Sequence, residues 1–253
     1  PMNALGFDLE TAPLPNVLES KFAPVAEEFQ FQPFDPSKVK RLKSDDDETY
    51  RVKYIEQQGL HIQSQDEKKA KLIVDFKEKQ EEFLDSCCLF PHLGRILVIG
   101  LHNGERFHVL EGDEDSIITQ FFSQYRACVK KQMQLVSHGG MNFDWPFIIR
   151  RAWVLGIKVP GDLVIPSGKY WNWNKLLIDT GQLWLLGQYP RDTRWSLDVV
   201  GHALGFGGKN VEGVEGKGFW RMYEKDRELA LKYLENDCLQ PLKIFARICP
   251  PTI

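Results

Sequence analysis

Leu5-Gly6-Phe7-Asp8-Leu9-Glu10-Thr11 is the most informative run of residues in the chain. Apolar residues alternate with two carboxylates, and alternation with a period of two is typical of a β-strand. Asp8 and Glu10 therefore share one side of the strand. Two like charges held this close repel each other unless a cation lies between them. The stretch predicts a strand, buried over residues 3–8, whose end presents Asp8 and the following Glu10 to a divalent cation such as magnesium or manganese.

The composition limits the classes of protein to which the chain can belong. Its 253 residues, 43% hydrophobic and 26% charged, are typical of a globular protein with a sizeable core. The net charge of −3 argues against a large basic surface that binds phosphates. It is compatible with an enzyme that holds a chain end through metal ions. Five cysteines without a C-x-x-C pair predict a reducing, cytoplasmic environment. The absence of a leader and of a long apolar run predicts neither secretion nor membrane spanning.

The order of the predicted elements indicates the fold class. Residues 95–101 and 106–110 are predicted to pair as strands across the turn His102-Asn103-Gly104, which gives three antiparallel strands with the first. Strands then alternate with helices, which predicts an α/β domain with a mixed sheet. The later predicted elements are helices near 115–131, 143–154, 196–205 and 225–248, the last broken or kinked at Pro241, and a strand at 134–137.

A charged block separates the first strand from the rest. Residues 12–44 contain many prolines and little periodicity, which predicts a long connection. Ser44 followed by three aspartates is a plausible helix start, and apolar residues recur at helical spacing over 65–87. We expect a helical insertion over about 35–85, packed on a core that the rest of a single domain, residues 3–250, builds.

Two further motifs contain acids far along the chain. Asp144 follows a predicted strand and a Gly-Gly loop, at the opening of a helix whose first turn tolerates Pro146. From residue type and position alone, Asp144 is equally well explained as a helix N-cap. Tyr233 and Asp237 are four residues apart and share one face of the last helix. That pair alone is better explained as an ordinary surface pair.

The three motifs in this order resemble those of a known family. Residues 7–11, 142–147 and 233–237 are similar to the three motifs of the ribonuclease H-like 3′–5′ exonucleases with four invariant acids, in the tyrosine-bearing (DEDDy-type) branch. The histidine branch has a histidine where this chain has Lys232. The similarity is closest to stand-alone proteins related to the exonuclease domain of family B DNA polymerases. It covers most of residues 3–248, outside the insertion.

The resemblance implies a fold, a reaction and a set of site residues. The expected fold is a ribonuclease H-like mixed sheet, and the expected reaction is two-metal hydrolysis at nucleic-acid 3′ ends, above all of single-stranded DNA. By resemblance, Asp8 bridges two Mg²⁺ or Mn²⁺ ions, and Glu10 and Asp237 complete the first site. Asp144 holds the second ion and Tyr233 orients the attacking water. The resemblance also implies substrate contacts, which it assigns to Thr11, Asn142 and Phe143.

Other residues allow two interpretations each. Lys209, in a glycine-rich loop, contacts phosphates or belongs to a solvated linker. Residues 169–175 mix aromatic and basic side chains, which suits base stacking or a half-buried hairpin. Asp179 is expected to cap the next helix, near the site but not as a ligand. Arg150 and Arg151 are expected on a helix surface, and the adjacent cysteines 87 and 88 are expected as buried small hydrophobes and not as zinc ligands.

Three rival functions remain open on the sequence. An exoribonuclease of the same fold would use the same acids, because sugar discrimination depends on contacts to the 2′-hydroxyl. A non-catalytic nucleic-acid-binding module is disfavoured because all four acids and the tyrosine are present. The third rival is a helical interaction protein whose functional part is the insertion. Repair or trimming of DNA is compatible with the motifs, and no replication or repair partner is identified.

Overall fold

One mixed sheet forms the centre of the structure. A computed structural model describes residues 3–164, 175–188, 194–207 and 218–249. Its five strands are β1 (Ala4–Pro13), β2 (Gly94–His102), β3 (Phe107–Glu111), β4 (Gln134–Ser137) and β5 (Leu177–Asp179), in the order β3-β2-β1-β4-β5. β1, β2 and β3 pair in antiparallel fashion, whereas β4 is parallel to β1 and β5 to β4. This confirms the predicted mixed α/β sheet and its three antiparallel strands.

Seven α-helices are present among the described residues. They are α1 (Asp47–Cys87), α2 (Glu114–Lys131), α3 (Asp144–Val154), α4 (Thr180–Leu185), α5 (Leu197–Ala203), α6 (Phe219–Lys225) and α7 (Arg227–Ile248). The chain divides into two compact units, one of residues 1–15 with 85–253 and one of Asn16–Leu84. None of the helices within the described ranges combines the length and the apolar character that crossing a bilayer requires.

The first face of β1 belongs to the main hydrophobic core. Phe7 and Leu9 are buried together with apolar residues of β2, α2 and α3. The Phe7 ring lies 4.9 Å from Trp145 of α3 and 5.3 Å from Phe121 of α2, between ring centroids. Aromatic rings at such separations stabilise a core beyond the apolar area that they bury. This packing fixes which face of β1 turns toward the interior.

The second face of β1 lies against α7, and two glycines permit a close approach. A Cβ atom on Gly6 of β1 would lie 2.2 Å from the carbonyl oxygen of Cys238, and one on Gly100 of β2 would lie 2.6 Å from the Cys238 sulfur. Any larger residue would push the helix away from the sheet. Gly100 is the register partner of Asp8. The close approach therefore brings the middle of α7 next to the acids of β1.

Helix α7 differs from its prediction at both a boundary and a proline. A separate helix, α6, precedes it, and the Asp226 side chain accepts the Leu229 N–H at 3.0 Å as the N-cap of α7. Of the break or kink predicted at Pro241, the break is wrong, because α7 runs through this buried residue to Ile248. Packing of α7 on the sheet outweighs the single backbone hydrogen bond that the proline removes.

A buried ion pair corrects a second expectation. Arg151 was predicted on a helix surface, but its side chain is 3% exposed and its Nη2 lies 2.6 Å from Glu114 Oε2. It also donates to the carbonyl oxygen of Pro91, at 2.8 Å, and Glu114 accepts the backbone N–H of Ile96. Partners on α2 and on the segment before β2 thus compensate the charge of Arg151, which the local sequence pattern had placed at the surface. Arg150 is exposed, as predicted.

The second unit, Asn16–Leu84, is built mainly from α1. Asp46 accepts the Thr49 N–H at 2.7 Å, which confirms the predicted helix start after Ser44. The helix is continuous for 41 residues, through both of the stretches for which the sequence indicated helix. Within this unit, the Phe34 ring packs on Tyr54 and His61, at centroid distances of 5.4 and 5.7 Å. The unit therefore has local packing of its own.

Candidate active site

Three acids converge where β1 meets α7. Asp8 and Glu10 point to the same side of β1, as the alternation predicts, and Asp237 faces them from α7. Each contributes a carboxylate oxygen, and these oxygens all lie within 4.8 Å of one another. Glu10 and Asp237 are buried and Asp8 is partly buried. Within the part of the chain that the structure describes, no other group of three His, Cys, Asp or Glu side chains has this geometry.

Asp144, the fourth predicted acid, lies beside this group and not within it. It is the first residue of α3, and the N-cap position belongs to Phe143, so the interpretation of Asp144 as an N-cap is wrong. The side chain is buried. Burial raises the pKa of Asp144 well above its usual value, and the negative charges of Asp8 and Asp179 raise it further. Asp144 is therefore close enough to Asp8 for their charges to interact.

Tyr233 completes the predicted set. It is 2% exposed, and its phenol makes a hydrogen bond to Asp237. Burial raises the pKa of Tyr233 above its usual range, and the charges of Asp237, Glu10 and Asp8 add to the effect. The neighbouring Lys232 instead lies at the surface, 3.1 Å from Glu228. Tyrosine, and not the residue before it, thus faces the acids, as the tyrosine-bearing branch requires.

The donor set suits a hard divalent cation. Carboxylates packed together away from water destabilise one another unless a counter-charge is bound. Burial is the main cause of the raised pKa of Asp144, and repulsion by Asp8 and Asp179 adds to it. All three converging donors are oxygen atoms, and oxygen donors favour magnesium or manganese over softer metals. The site therefore fits the cations that the sequence predicted, and Asp8, Glu10 and Asp237 are placed so that they could hold one ion together.

A cleft of about 650 Å³ opens over the acids. Its lining contains the five predicted catalytic residues and three of the predicted substrate contacts, Thr11, Asn142 and Phe143. The Thr11 hydroxyl donates to the carbonyl oxygen of Cys88 at 2.7 Å, so its proton is already committed. Asn142 is exposed and Phe143 partly buried. Lys209 and residues 169–174 lie outside the described residues.

Four of the five cysteines are buried side chains of the hydrophobic core. Cys87, Cys88, Cys128 and Cys238 are free and buried. Burial raises the pKa of all four thiols, that of Cys88 to about 12. Such thiols remain protonated at neutral pH and pack as small hydrophobic groups. The burial of Cys87 and Cys88 confirms the expectation that they pack as small hydrophobic groups.

The structure adds cleft residues that the sequence did not single out. His138 follows β4, and its Nδ1 and Nε2 lie 2.8 Å from Thr180 Oγ1 and 2.6 Å from the carbonyl oxygen of Trp195. Both His138 and Trp195 line the cleft. The position of His138 at the carboxyl end of a parallel strand was a usable signal, since ligand sites gather at such ends. No such signal in the sequence pointed to Trp195, because its partners are distant in sequence.

Asp179 has a larger part in the site than predicted. Its predicted role as a helix cap is confirmed, because Oδ1 accepts the N–H groups of Gly181 at 2.9 Å and Gln182 at 3.2 Å. The carboxylate also accepts the N–H groups of Gly139 and Met141, from the loop before α3. The sequence pattern showed the local bonds and not the distant ones.

Similarity to solved structures supports the fold. The family B DNA polymerase from the hyperthermophilic archaeon Pyrobaculum calidifontis matches with a TM-score of 0.50 and 18% sequence identity. The match covers 64% of this chain and 22% of the polymerase chain, so this protein corresponds to a small part of the polymerase. At such low identity the likeness shows a shared ribonuclease H-like fold alone. A search of curated proteins finds no match.

Similarity to known families is more specific. Residues 86–250 match the family described as "Predicted 3'-5' exonuclease related to the exonuclease domain of PolB". The matched range contains Asp144, Tyr233 and Asp237, whereas Asp8 and Glu10 precede it. The sheet joins β1 to the matched range through its pairing with β2 and β4. Since the match covers more than half of the chain, the protein belongs to this family of predicted 3′–5′ exonucleases related to the exonuclease domain of PolB.

Proposed function

We propose that the protein is a metal-dependent 3′–5′ exonuclease that removes nucleotides from single-stranded DNA ends. The observation that carries the proposal is the convergence of the Asp8, Glu10 and Asp237 oxygens within 4.8 Å, beside a buried Asp144 in the same cleft. Membership of the exonuclease-related family supports the reaction class. Phosphodiester hydrolysis at two divalent cations is the chemistry that such an acid cluster serves.

Each acid has a distinct role in this proposal. Asp8, Glu10 and Asp237 would hold one cation, and Asp144 together with Asp8 would hold the second. When bound, two such ions lower the pKa of a water molecule and shield the charge that develops on the phosphorus and the leaving oxygen. The buried position of Asp144 makes its carboxylate dependent on a nearby cation for stabilisation.

Tyr233 acts as a hydrogen-bonding group and not as a base. Its raised pKa keeps the phenol protonated at neutral pH. The hydroxyl can therefore orient a water molecule between itself and the acids, but it does not remove a proton from that water. Loss of the hydroxyl should slow the reaction without removing a cation ligand.

The shape and lining of the cleft favour an unpaired chain end. A volume of about 650 Å³ falls within the range of roughly 300–1,000 Å³ that suits small-molecule-sized ligands. It accommodates a terminal nucleotide separated from its complement better than an intact duplex. Phe143 and Trp195 in the lining offer aromatic surfaces, on which bases of any sequence stack.

Digestion of labelled oligonucleotides tests the proposal. Single-stranded DNA labelled at its 5′ end should shorten from its 3′ end in the presence of Mg²⁺ or Mn²⁺, and EDTA should stop the reaction. The variant Asp237→Asn, which loses one carboxylate ligand but keeps its volume, should be inactive. An RNA oligomer and a DNA duplex in parallel reactions decide the sugar and the strand preference. The proposal fails if neither DNA nor RNA is cut with either cation, or if Asp237→Asn cuts like the wild type.

A further inference from the structure

The Asp179 carboxylate joins two segments of backbone next to the candidate active site. Oδ1 accepts the N–H groups of Gly139, Gly181 and Gln182, and Oδ2 accepts that of Met141, over distances of 2.9–3.2 Å. The side chain is only 5% exposed. Gly181 and Gln182 belong to its own helix, α4, whereas the other two donors belong to the loop between β4 and α3. One buried carboxylate therefore fixes that loop to the end of β5.

The same loop lies directly against the Asp144 carboxylate. A Cβ atom on Gly140 would lie 2.8 Å from Asp144 Oδ2 and 2.2 Å from Ser137 Oγ. The backbone of Gly140 also accepts the Trp145 N–H at 2.9 Å, which fixes the first turn of α3 to the loop. A displacement of residues 139–141 must therefore move Asp144.

A second set of hydrogen bonds fixes the loop at its start. His138 contacts the hydroxyl of Thr180 and the carbonyl oxygen of Trp195 through its two ring nitrogens. The Thr180 hydroxyl donates to the carbonyl oxygen of Ser137, at 3.1 Å. The loop is thus attached to α4 at two points, and Asp179 provides the attachment that is nearer to Asp144 in sequence.

We propose that Asp179 is a positioning residue of the exonuclease reaction, which places Asp144 where the second cation requires it. This inference rests on the proposed function. Asp179 is not itself a ligand in this account, because its carboxylate already accepts four backbone N–H groups and does not belong to the group of converging oxygens. It acts through the backbone of residues 139–141, in the manner of the outer groups that orient metal ligands in other proteins.

Asp179→Asn is the sharpest perturbation, because the two side chains have almost the same shape. The amide has a single acceptor oxygen, so its NH₂ group must face at least one backbone N–H. The least unfavourable orientation keeps the three bonds to Oδ1 and places the NH₂ group against the N–H of Met141. Two buried donors then face each other, which destabilises the loop at Met141. Met141 lies two residues after Gly139 and three before Asp144.

The metal dependence of the variant separates positioning from loss of structure. Isothermal titration in the absence of nucleic acid measures the affinity of Asp179→Asn for Mn²⁺. We expect this affinity to stay within about twofold of wild type, because Asp8, Glu10 and Asp237 do not belong to the loop that Asp179 holds. The Mg²⁺ concentration that half-saturates cleavage should rise roughly 10- to 100-fold, and kcat should fall. Hydrogen exchange at the amide of Met141 should accelerate, because this is the N–H group that loses its acceptor. The control Asp46→Asn changes another helix N-cap and should behave like the wild type.

Gly140→Ala is the second variant, for use if Asp179→Asn does not fold. It leaves Asp179 intact but places a methyl group against Asp144, so it should produce the same rise in the half-saturating Mg²⁺ concentration. The proposal would be overturned if Asp179→Asn kept the wild-type kcat and the wild-type half-saturating Mg²⁺ concentration. It would also be overturned if the variant lost Mn²⁺ binding equally with and without nucleic acid. A wild-type protein without nuclease activity would refute the proposed function instead. Amide exchange at Met141 still tests the attachment in that case, and unchanged exchange in Asp179→Asn would overturn it.

Discussion

The two faces of β1 carry side chains of opposite character. Phe7 and Leu9 lie in a core of apolar side chains, and Asp8 and Glu10, their immediate neighbours in sequence, converge with an acid of α7. One face gains free energy from burial, whereas the other holds carboxylates whose mutual repulsion costs free energy until a cation binds. Adjacent residues of one strand thus have different roles, because one set stabilises the fold and the other forms the candidate active site.

The contrast also explains why the glycines lie where they do. Gly6 and Gly100 are on the face that α7 covers, where an added Cβ would meet backbone or sulfur atoms of Cys238. The acidic face needs the helix close, so that Asp237 reaches Asp8 and Glu10. The apolar face has no such need, because large side chains from two helices fill the space. Function and packing therefore select different residue sizes on the two sides.

The largest expected effect comes from the acidic face. Asp8→Asn removes one charge and one ligand from the three-acid group without changing the shape of the side chain. Nuclease activity should fall by about 10³-fold or more, because the three-acid group can no longer fully bind the cation that neutralises the charge on the phosphate. Single-turnover cleavage at saturating Mg²⁺ measures the effect. The melting temperature without metal should not fall, and a fall of several degrees would show that Asp8 also supports the fold.

The matching change on the apolar face is Leu9→Ala. It removes a buried side chain that is 3% exposed, and the free energy of unfolding should drop by about 2–5 kcal/mol. For a chain of this size, that corresponds to roughly 2–4 °C in the melting temperature per kcal/mol. Mn²⁺ binding, measured well below the transition, should remain. Loss of Mn²⁺ binding with an unchanged melting temperature would contradict the division between the two faces.

Tyr233→Phe should have an intermediate effect on the acidic side alone. The phenyl ring keeps the packing against Phe219, 6.0 Å away between centroids, but the hydrogen bond to Asp237 is lost. The cleavage rate should fall roughly 10- to 100-fold, which corresponds to one hydrogen bond to a charged group. Isothermal titration with Mn²⁺ should give nearly the wild-type affinity. A loss of affinity as large as that of Asp8→Asn would assign the tyrosine to the cation site itself.

The smallest expected effect is a gain in stability. The pKa of Asp144 is raised above its value of 3.8 in the unfolded chain, so the folded protein becomes less stable as the pH rises through 3.8 toward the folded pKa. At neutral pH, Asp144→Asn removes that cost and should raise the melting temperature in EDTA by a few degrees, about 2–4 °C per kcal/mol. The gain should vanish as the pH approaches 4. A variant less stable than the wild type at pH 7 would contradict the burial of a repelled charge.

Much of the fold followed from local sequence patterns. Alternation in β1, the Asp-rich start of α1 and the cap at Asp179 depend on neighbours within a few residues, and the structure confirms all three. These features are predictable because the residues that create them are close in sequence. The family resemblance supplied the order of the acidic motifs, and the match over residues 86–250 confirms the family without reaching β1.

The features that escaped prediction depend on distant partners. Arg151 is buried because Glu114 lies across the α2–α3 packing, and Pro241 stays within α7 because the sheet holds the helix on both sides of it. Asp179 bonds Met141 over 38 residues of sequence. No short window of sequence contains both members of such a pair. The roles of the site residues remain predictions that the variants above are designed to test.

Diffraction from crystals soaked in Mn²⁺ tests the central claim most directly, since the anomalous signal locates the ion without reference to activity. We predict an ion bound by Asp8, Glu10 and Asp237, with oxygen distances near those of Mg²⁺ sites, about 2.1 Å. Asp237→Asn crystals should lose that signal. The absence of an ion at these three side chains at millimolar Mn²⁺, whether or not ions bind elsewhere, would contradict the account.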